Sequence, residues 1–310
     1  MLPDFLFLNL IKMRRLLFSV FILSLVVISN AQSKIVVFQS DFGLKDGAVS
    51  AMKGVAMGVS PDLKLYDLTH EIPAYNIWEG AYRLMQTVPY WPEGTVFVSV
   101  IDPGVGTSRK SVVAKTKTGQ YIVTPDNGTL TLIAETLGIA ELREIDEAVN
   151  RRKNSEKSYT FHGRDVYAYT GARLASGVIS YEQVGKALPA APVMITYQKA
   201  TLTGNVIKGN IPVLDIQYGN VWTNIGADLF NQWKLKPGDK IQVRIFNNRQ
   251  KVYEGTMPYA ETFGAVAKGK PLAYLNSLLQ LSFALNMESF AKVYHVSSGS
   301  TWSVEVGRTN

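Results

Sequence analysis

The sequence predicts a mixed α/β fold: an N-terminal α/β domain with a largely parallel central sheet, followed by a C-terminal antiparallel, barrel-like β domain. Three observations predict it. Over residues 33–190, β-branched runs alternate with small-residue or amphipathic segments, the pattern of buried strands covered by helices. The Pro/Ala-rich stretch KALPAAPVM then breaks the alternation, and residues 191–198 read as a linker. Beyond it, residues 199–310 become a succession of short strands and turns.

The first half opens with the strand KIVVFQS, which ends at Asp41-Phe42-Gly43. DGAVSAMKGVAMGVS follows as a helix rich in small residues, then LKLYDLTH as a strand, IWEGAYRLMQTVPYW as a helix and TVFVSVIDPGVG as an apolar strand running into a glycine-rich loop. SVVAKTKTGQYIVTPDNG predicts a hairpin turning at Thr118-Gly119, followed by a helix over about 129–137; GRDVYAYTGARLASG predicts the last helix of this half. In the second half TLTGNVIKGNIPVLDIQYGNVWTNI, DKIQVRIFNNRQKVYEG, PLAYLNS and TWSVEVG carry the strands.

The N-terminus has a separate character. Lys12, Arg14 and Arg15 precede an apolar run from Leu16 to Ile28 that ends in the small residues of SNA, the layout of a secretory signal peptide cleaved near Ala31. An uncleaved anchor is the alternative, but the run is shorter than the roughly 20 residues that span a bilayer. The expected mature protein is therefore exported, and its formal charge falls from +7 to +5 once Lys12, Arg14, Arg15 and Asp4 are removed. The remaining basic residues are scattered, not clustered as a nucleic-acid surface requires. No cysteine is present, which excludes disulfides, thiolate ligands and a thiol nucleophile.

In open α/β sheets, ligands bind beyond the carboxyl ends of the strands, and here those ends carry polar residues: Asp41, Asp67 with His70, Asp102, and Asp126-Asn127. Singly, several read as turns, since PDNG and DPG both favour them; together they mark one sheet edge as a candidate site. DPGVGTSR adds Arg109, which a folded-back loop returns to Asp102, but lacks the lysine of a nucleotide-triphosphate loop. TFHGRD places His162, one of three histidines, beside Gly163, Arg164 and Asp165. It is either a surface turn or, with Asp102 and Arg109, part of a site that orients water and removes its proton. DIQYGNVWTNI gathers Asp215, Tyr218, Asn220 and Trp222, as a hairpin with a packed tryptophan or as a pocket offering a carboxylate, an amide and aromatic faces.

Taken in order, SDFGLKD (40–46), DLTHEIPAYNIWEGA (67–81), IDPGVGTSR (101–109), PDNGTL (125–130), TFHGRD (160–165), DIQYGNVWTNI (215–225) and YLNSLLQLSFALN (274–286) resemble the S-adenosylmethionine hydroxide adenosyltransferases, hydrolytic relatives of bacterial fluorinase and chlorinase. The resemblance implies displacement of methionine by water at the 5′ carbon of S-adenosylmethionine, which is substrate and not cofactor. It also implies a homotrimer with sites between subunits. It assigns the water site to Asp102, Arg109 and His162. Asp41 matches the aspartate that grips the ribose hydroxyls, with Tyr75, Val105 and Phe161 lining the same region. Asp215 is matched to the methionine ammonium, Tyr218, Asn220 and Met287 to the adenine side, and Ser277 to the methionine carboxylate. Where halogenating relatives have an arginine after that serine, this chain has Leu278. Fluorinase has tyrosine at positions 102 and 162 and serine at 163, so Asp102, His162 and Gly163 favour water over halide. Two rivals remain: a metal-dependent phosphoesterase built on Asp41, Asp67, His70, Asp102, Asn127 and His162, and an exported nucleoside-binding protein without turnover.

Overall fold

The alternating runs of the first half become strands and helices of a seven-stranded sheet. The strands are β1 (Ile35–Ser40), β2 (Lys64–Thr69), β3 (Val96–Val100), β4 (Ser111–Thr116), β5 (Tyr121–Pro125), β6 (Ile139–Glu144) and the short β7 (Ala187–Leu188), in the spatial order β2-β1-β3-β5-β4-β6-β7. β2, β1, β3 and β5 are parallel; the β4–β5 hairpin reverses direction, and β6 and β7 continue antiparallel. This is a computed structural model describing residues 33–309, so the leader expected over residues 1–31 lies outside it. Among the described residues no helix is long and apolar enough to cross a membrane.

The helices follow from where apolar residues recur. α1 (Ala48–Val59) buries Val49, Met52 and Ala56, spaced three and four apart and so on one helical face. α2 (Ile77–Thr87) starts where the Asn76 side chain accepts a hydrogen bond from the Glu79 backbone N–H at 3.0 Å, an N-cap. α3 (Thr131–Thr136) is shorter than the sequence predicts. The segment expected as one helix from Gly163 is two pieces: a π-helical turn, Gly163–Ala168, continued by α4 (Tyr169–Ala175). The wider turn displaces side chains from regular helical spacing, a feature common at functional sites.

The second half holds two antiparallel sheets. Strands β8 (Thr201–Thr203), β9 (Val206–Asn210), β12 (Lys240–Asn247), β13 (Gln250–Pro258) and β16 (Trp302–Arg308) form one, in the order β13-β12-β16-β9-β8. Strands β10 (Val213–Leu214), β11 (Val221–Gly226), β14 (Pro271–Leu275) and β15 (Gln280–Leu285) form the other, in the order β10-β11-β15-β14. Inward residues of both, including Ile207, Val243, Val306, Val221 and Phe283, share one core. The sheets face each other across it without closing into a barrel. Residues 191–200 have no regular structure but are held: Val193 N donates to Asp126 Oδ1 at 2.8 Å and Ile195 N to Thr131 Oγ1 at 2.9 Å. The Trp78 indole N–H donates to Pro212 O at 3.1 Å, tying the first half to the second.

The approach of α4 to the sheet depends on Gly171, where an added Cβ would lie 2.6 Å from Val98 Cγ2 in the fully buried β3. Alanine is the better helix former by about 1 kcal/mol, but the overlap meets a central strand with no room to move. Gly171→Ala is therefore expected to destabilise the fold by roughly 1–3 kcal/mol, read as a lower denaturant midpoint; an unchanged or higher midpoint would show that the strand yields.

Candidate active site

Because β1, β2 and β3 are parallel, their carboxyl ends meet at one edge and bring Asp41, His70 and Asp102 there. A pocket of about 230 Å³ opens at this edge, lined by Asp41, Phe42, Ala74, Tyr75, Val100, Asp102, Val105, Thr160, Phe161, His162 and Gly163. Of the seven positions assigned to the water site and the ribose region, six line this pocket; the seventh, Arg109, stands behind Asp102.

The Asp102–Arg109 pair is built as the loop spacing suggests. Arg109 Nε donates to Asp102 Oδ1 at 2.9 Å and to Oδ2 at 3.1 Å, and Nη2 donates to Oδ2 at 2.7 Å. Both side chains are nearly buried, so the fork geometry supplies the counter-charge that a buried carboxylate needs. Burial works against the Arg109 charge, but the hydrogen bonds to Asp102 together with the electrostatic pull of Tyr167, Asp102 and Glu147 outweigh it and raise the pKa. The loop between them turns at Gly106, whose φ is +77° and where a Cβ would come within 2.9 Å of Tyr159 O. Tyr167 OH donates to Asp102 Oδ2 at 3.3 Å; burial, then the Asp102 charge, push its pKa up and keep the phenol protonated.

His162 caps the π-helical turn and is buried. It connects with Asp102 through a chain of side chains the sequence did not single out. Arg109 Nη1 donates to Ser111 Oγ at 3.0 Å, Ser111 Oγ donates to Glu147 Oε1 at 3.1 Å, and Arg151 Nη2 lies 2.5 Å from Glu147 Oε2 and 3.0 Å from His162 Nε2. His162 Nδ1 is buried without a hydrogen-bond partner. Arg164 and Asp165 of TFHGRD are structural: Arg164 makes two 2.8 Å hydrogen bonds to Asp165, which also accepts from Arg152 Nε at 3.0 Å. Gly163 is needed for closeness, since a Cβ there would lie 3.2 Å from the Phe42 ring and Val100 Cγ1.

Asp41 Oδ2 accepts from Tyr75 N at 2.8 Å, while Tyr75 itself has φ +69° and an exposed ring. Other polar residues at the edge serve the framework. His70 contacts Ser40 Oγ at 2.7 Å and Asp67 Oδ1 at 3.0 Å; Asp67 also accepts from Lys53 at 2.6 Å. Asn127 Nδ2 donates to Ile101 O at 2.9 Å. The carboxylates and histidines of the phosphoesterase reading are thus divided among separate partners, and among the described residues no group of three or more could hold a metal ion.

The second-half candidates line a different cavity. A groove of about 800 Å³ is bounded by Asp215, Tyr218, Asn220, Trp222, Asn276, Ser277 and Met287 among others. Gly219, at φ +72°, makes the expected turn, and Asn220 Nδ2 lies 3.3 Å from Asp215 Oδ2. Asn276 is a residue the sequence did not mark. Its Oδ1 accepts from Leu278 N at 2.9 Å and Gln280 N at 3.1 Å, which fixes the amide, while its buried Nδ2 has no partner. Ser277 also borders a surface hollow lined by Leu278 and Arg83; Glu79 holds that arginine at 2.9 Å. The two halves of the expected site therefore share no lining residue within one chain.

Fold and pocket together define an α/β protein with a small pocket at the strand carboxyl ends, beside a buried carboxylate–guanidinium pair. The SAM hydroxide adenosyltransferase N-terminal domain matches residues 36–185 and the SAM hydroxide adenosyltransferase C-terminal domain residues 209–303; the chain belongs to this family. It is similar to the (R)-S-adenosyl-L-methionine hydrolase of Methanocaldococcus jannaschii, 46% identical over 144 residues that span 45% of this chain and 52% of that protein. The hydrolase of the same description from Salinispora tropica is 32% identical over 271 residues, 87% of this chain and 97% of that protein. A crystal structure of an uncharacterized conserved protein from Thermotoga maritima superposes with a TM-score of 0.80 at 35% identity, covering 88% of this chain and all of that one.

The network carries a pH signature. His162 foremost, and Arg151 with it, hold the Glu147 carboxyl down at about 2 against burial, which raises it. A depressed carboxylate stabilises the fold above its unfolded pKa of 4.5, and that contribution is lost as pH falls from 4.5 towards 2. Glu147→Gln is expected to flatten the loss of stability across this window in pH-resolved denaturation; equal slopes would remove Glu147 from the charged network.

Proposed function

We propose that the protein hydrolyses S-adenosyl-L-methionine to adenosine and L-methionine. The observation that carries this reading is the small pocket in which Asp102, held by Arg109, stands with His162, Asp41 and aromatic walls. The hydrolase names of the relatives across the family support it. Water oxygen forms a bond to C5′ as the C5′–S bond breaks; the bonding pair returns to sulfur, giving the neutral thioether of methionine, and one water proton leaves. A sulfonium needs no protonation to depart, so the protein's task is to hold the nucleophile in line behind the carbon.

In this reading Asp41 Oδ1 receives a ribose hydroxyl, since Tyr75 N occupies Oδ2. Tyr75, Val105 and Phe161 line the ribose and sulfonium. Asp215 pairs with the ammonium, Ser277 and the free Asn276 Nδ2 meet the carboxylate, and Tyr218, Asn220 and the Met287 backbone bound the adenine. The 230 Å³ pocket is smaller than the roughly 300–1,000 Å³ that encloses a substrate of this size, and the larger groove contains neither Asp102 nor His162. Exposed Tyr75, Tyr218, Ile216 and Met287 are apolar surface of the kind that meets another chain. We therefore include in the proposal a homotrimer in which the pocket of one copy faces the groove of the next. The leader-like residues 1–31 support the further proposal that the enzyme is exported.

Incubation of the full chain with S-adenosylmethionine in H₂¹⁸O, with a chelator present, is expected to place the label in the adenosine 5′-hydroxyl and leave methionine unlabelled. Asp102→Ala and His162→Ala are expected to bind substrate within a few-fold of the parent and lose roughly 10²–10⁴ in turnover. Recovery of intact substrate, or of unlabelled adenosine, would overturn the reading.

A further inference from the structure

We propose that Arg151, anchored by Glu147, fixes His162 as the tautomer protonated on Nδ1, so that His162 donates a hydrogen bond to the attacking water and Asp102 receives the proton. This deepens the hydrolase reading and rests on it for the identity of the reaction, while the tautomer itself is a property of the resting protein.

The argument begins with what a guanidinium can do. It has five N–H donors, no acceptor, and does not give up its proton in a protein. Arg151 Nη2 is 3.0 Å from His162 Nε2, so a hydrogen bond there requires a lone pair on Nε2. In a neutral imidazole the proton is then on Nδ1. Arg151 is held in place from several sides: Glu147 Oε2 lies 2.5 Å from Nη2, and Nη1 donates to Ser158 O at 3.2 Å and Ser155 O at 3.5 Å.

An imidazolium would set an Nε2–H against an Arg151 N–H. The carboxylate that could favour it, Glu147, lies 3.6 Å from Nε2, farther than the 3.0 Å to Arg151 Nη2, and the same oxygen is already engaged by Arg151. The other ring nitrogen, Nδ1, is buried without a protein partner, and His162 is among the residues lining the pocket, so in this scheme the water sits against Nδ1. A donor with nothing to donate to in the resting chain is matched by a water oxygen, whose second lone pair remains for C5′.

A ring that presents N–H cannot take a proton at that atom. Among the pocket carboxylates, Asp41 is taken by the ribose in the hydrolase reading, its Oδ1 by a hydroxyl and its Oδ2 by Tyr75 N. Asp102 Oδ1 accepts one hydrogen bond, from Arg109 Nε, and keeps a free lone pair of the two a carboxylate oxygen offers. The water therefore donates one O–H to Asp102 and accepts from His162. When C5′–O forms and C5′–S breaks, the proton passes to Asp102, the electron pair to sulfur, and Asp102 later releases the proton to solvent. Arg151 and Glu147 are positioning residues in this scheme, since they act through His162.

The test is long-range ¹⁵N–¹H correlation of the histidine rings in the ¹⁵N-labelled full chain. His70, His162 and His295 are the only histidines, and His162 is assigned by its loss in His162→Asn. The expected pattern has Nδ1 protonated and Nε2 bare. Arg151→Met is expected to move the proton to Nε2 or to a mixture of both, with turnover lowered about 10–100-fold at little change in KM, and Arg151→Lys to restore both. The asparagine amide nitrogen overlays Nδ1 and the glutamine amide nitrogen overlays Nε2. His162→Asn is thus expected to lose less than about tenfold in turnover and His162→Gln at least about 10²-fold. An Nε2-protonated ring in the parent protein, or Asn and Gln variants equally impaired, would overturn the proposal. Failure of the parent to form adenosine would defeat the hydrolase reading, while the ring pattern would still decide the tautomer.

Discussion

The pocket depends on one ion pair. Asp102 follows a strand that is buried along its whole length, and a carboxylate in that position costs several kcal/mol unless a counter-charge comes with it. Arg109 supplies the charge in fork geometry, and doing so fixes the loop from Pro103 to Ser108, whose glycines permit the tight return. The guanidinium then has one arm left for Ser111, from which the contacts run through Glu147 and Arg151 to His162. Removing either member of the pair would leave the other as a buried charge without its partner.

Much of this was legible in the sequence, for a physical reason. Strand-and-helix alternation predicts parallel strands, parallel strands put their ends on one edge, and the aspartates at those ends follow. The Asp102 to Arg109 spacing signals a returning loop because proline and glycine restrict what the intervening residues can do. Glu147, Arg151 and Asn276 were not legible in that way. Glu147 and Arg151 lie in an irregular segment after β6 that only tertiary packing brings beneath His162, and their one local signal is opposite charge four residues apart. Asn276 reads as an ordinary turn residue until its oxygen is found to be occupied and its nitrogen free. The regular helix expected from Gly163 is in part a π-helical turn, Gly163–Ala168, in which Gly163 packs closely against Phe42. His70 and Asp67, which look chemical in DLTH, instead brace the first strand end through Ser40 and Lys53.

What the single chain does not do is bring its two sets of candidate residues together. Asp102 and His162 belong to a pocket too small for the proposed substrate, and the Asp215 groove, with room to spare, contains neither of them. A sulfonium substrate carries its reactive carbon between an adenosine and a methionine moiety, so both surfaces have to reach it at once. A cyclic assembly solves this if each copy gives its pocket to one neighbour and its groove to the other. The exposed aromatic and apolar side chains at both rims fit that arrangement, because they would be covered in it.

The decisive measurement is complementation between His162→Ala and Asp215→Ala chains, co-expressed with different tags and purified through both. Each variant alone is expected to be nearly inactive. In a mixed trimer one of the three interfaces would join an intact pocket to an intact groove, restoring roughly a third of the parent turnover per trimer. A mixed species as inactive as its parts would mean that pocket and groove work within one chain, contradicting the account of a site shared between copies.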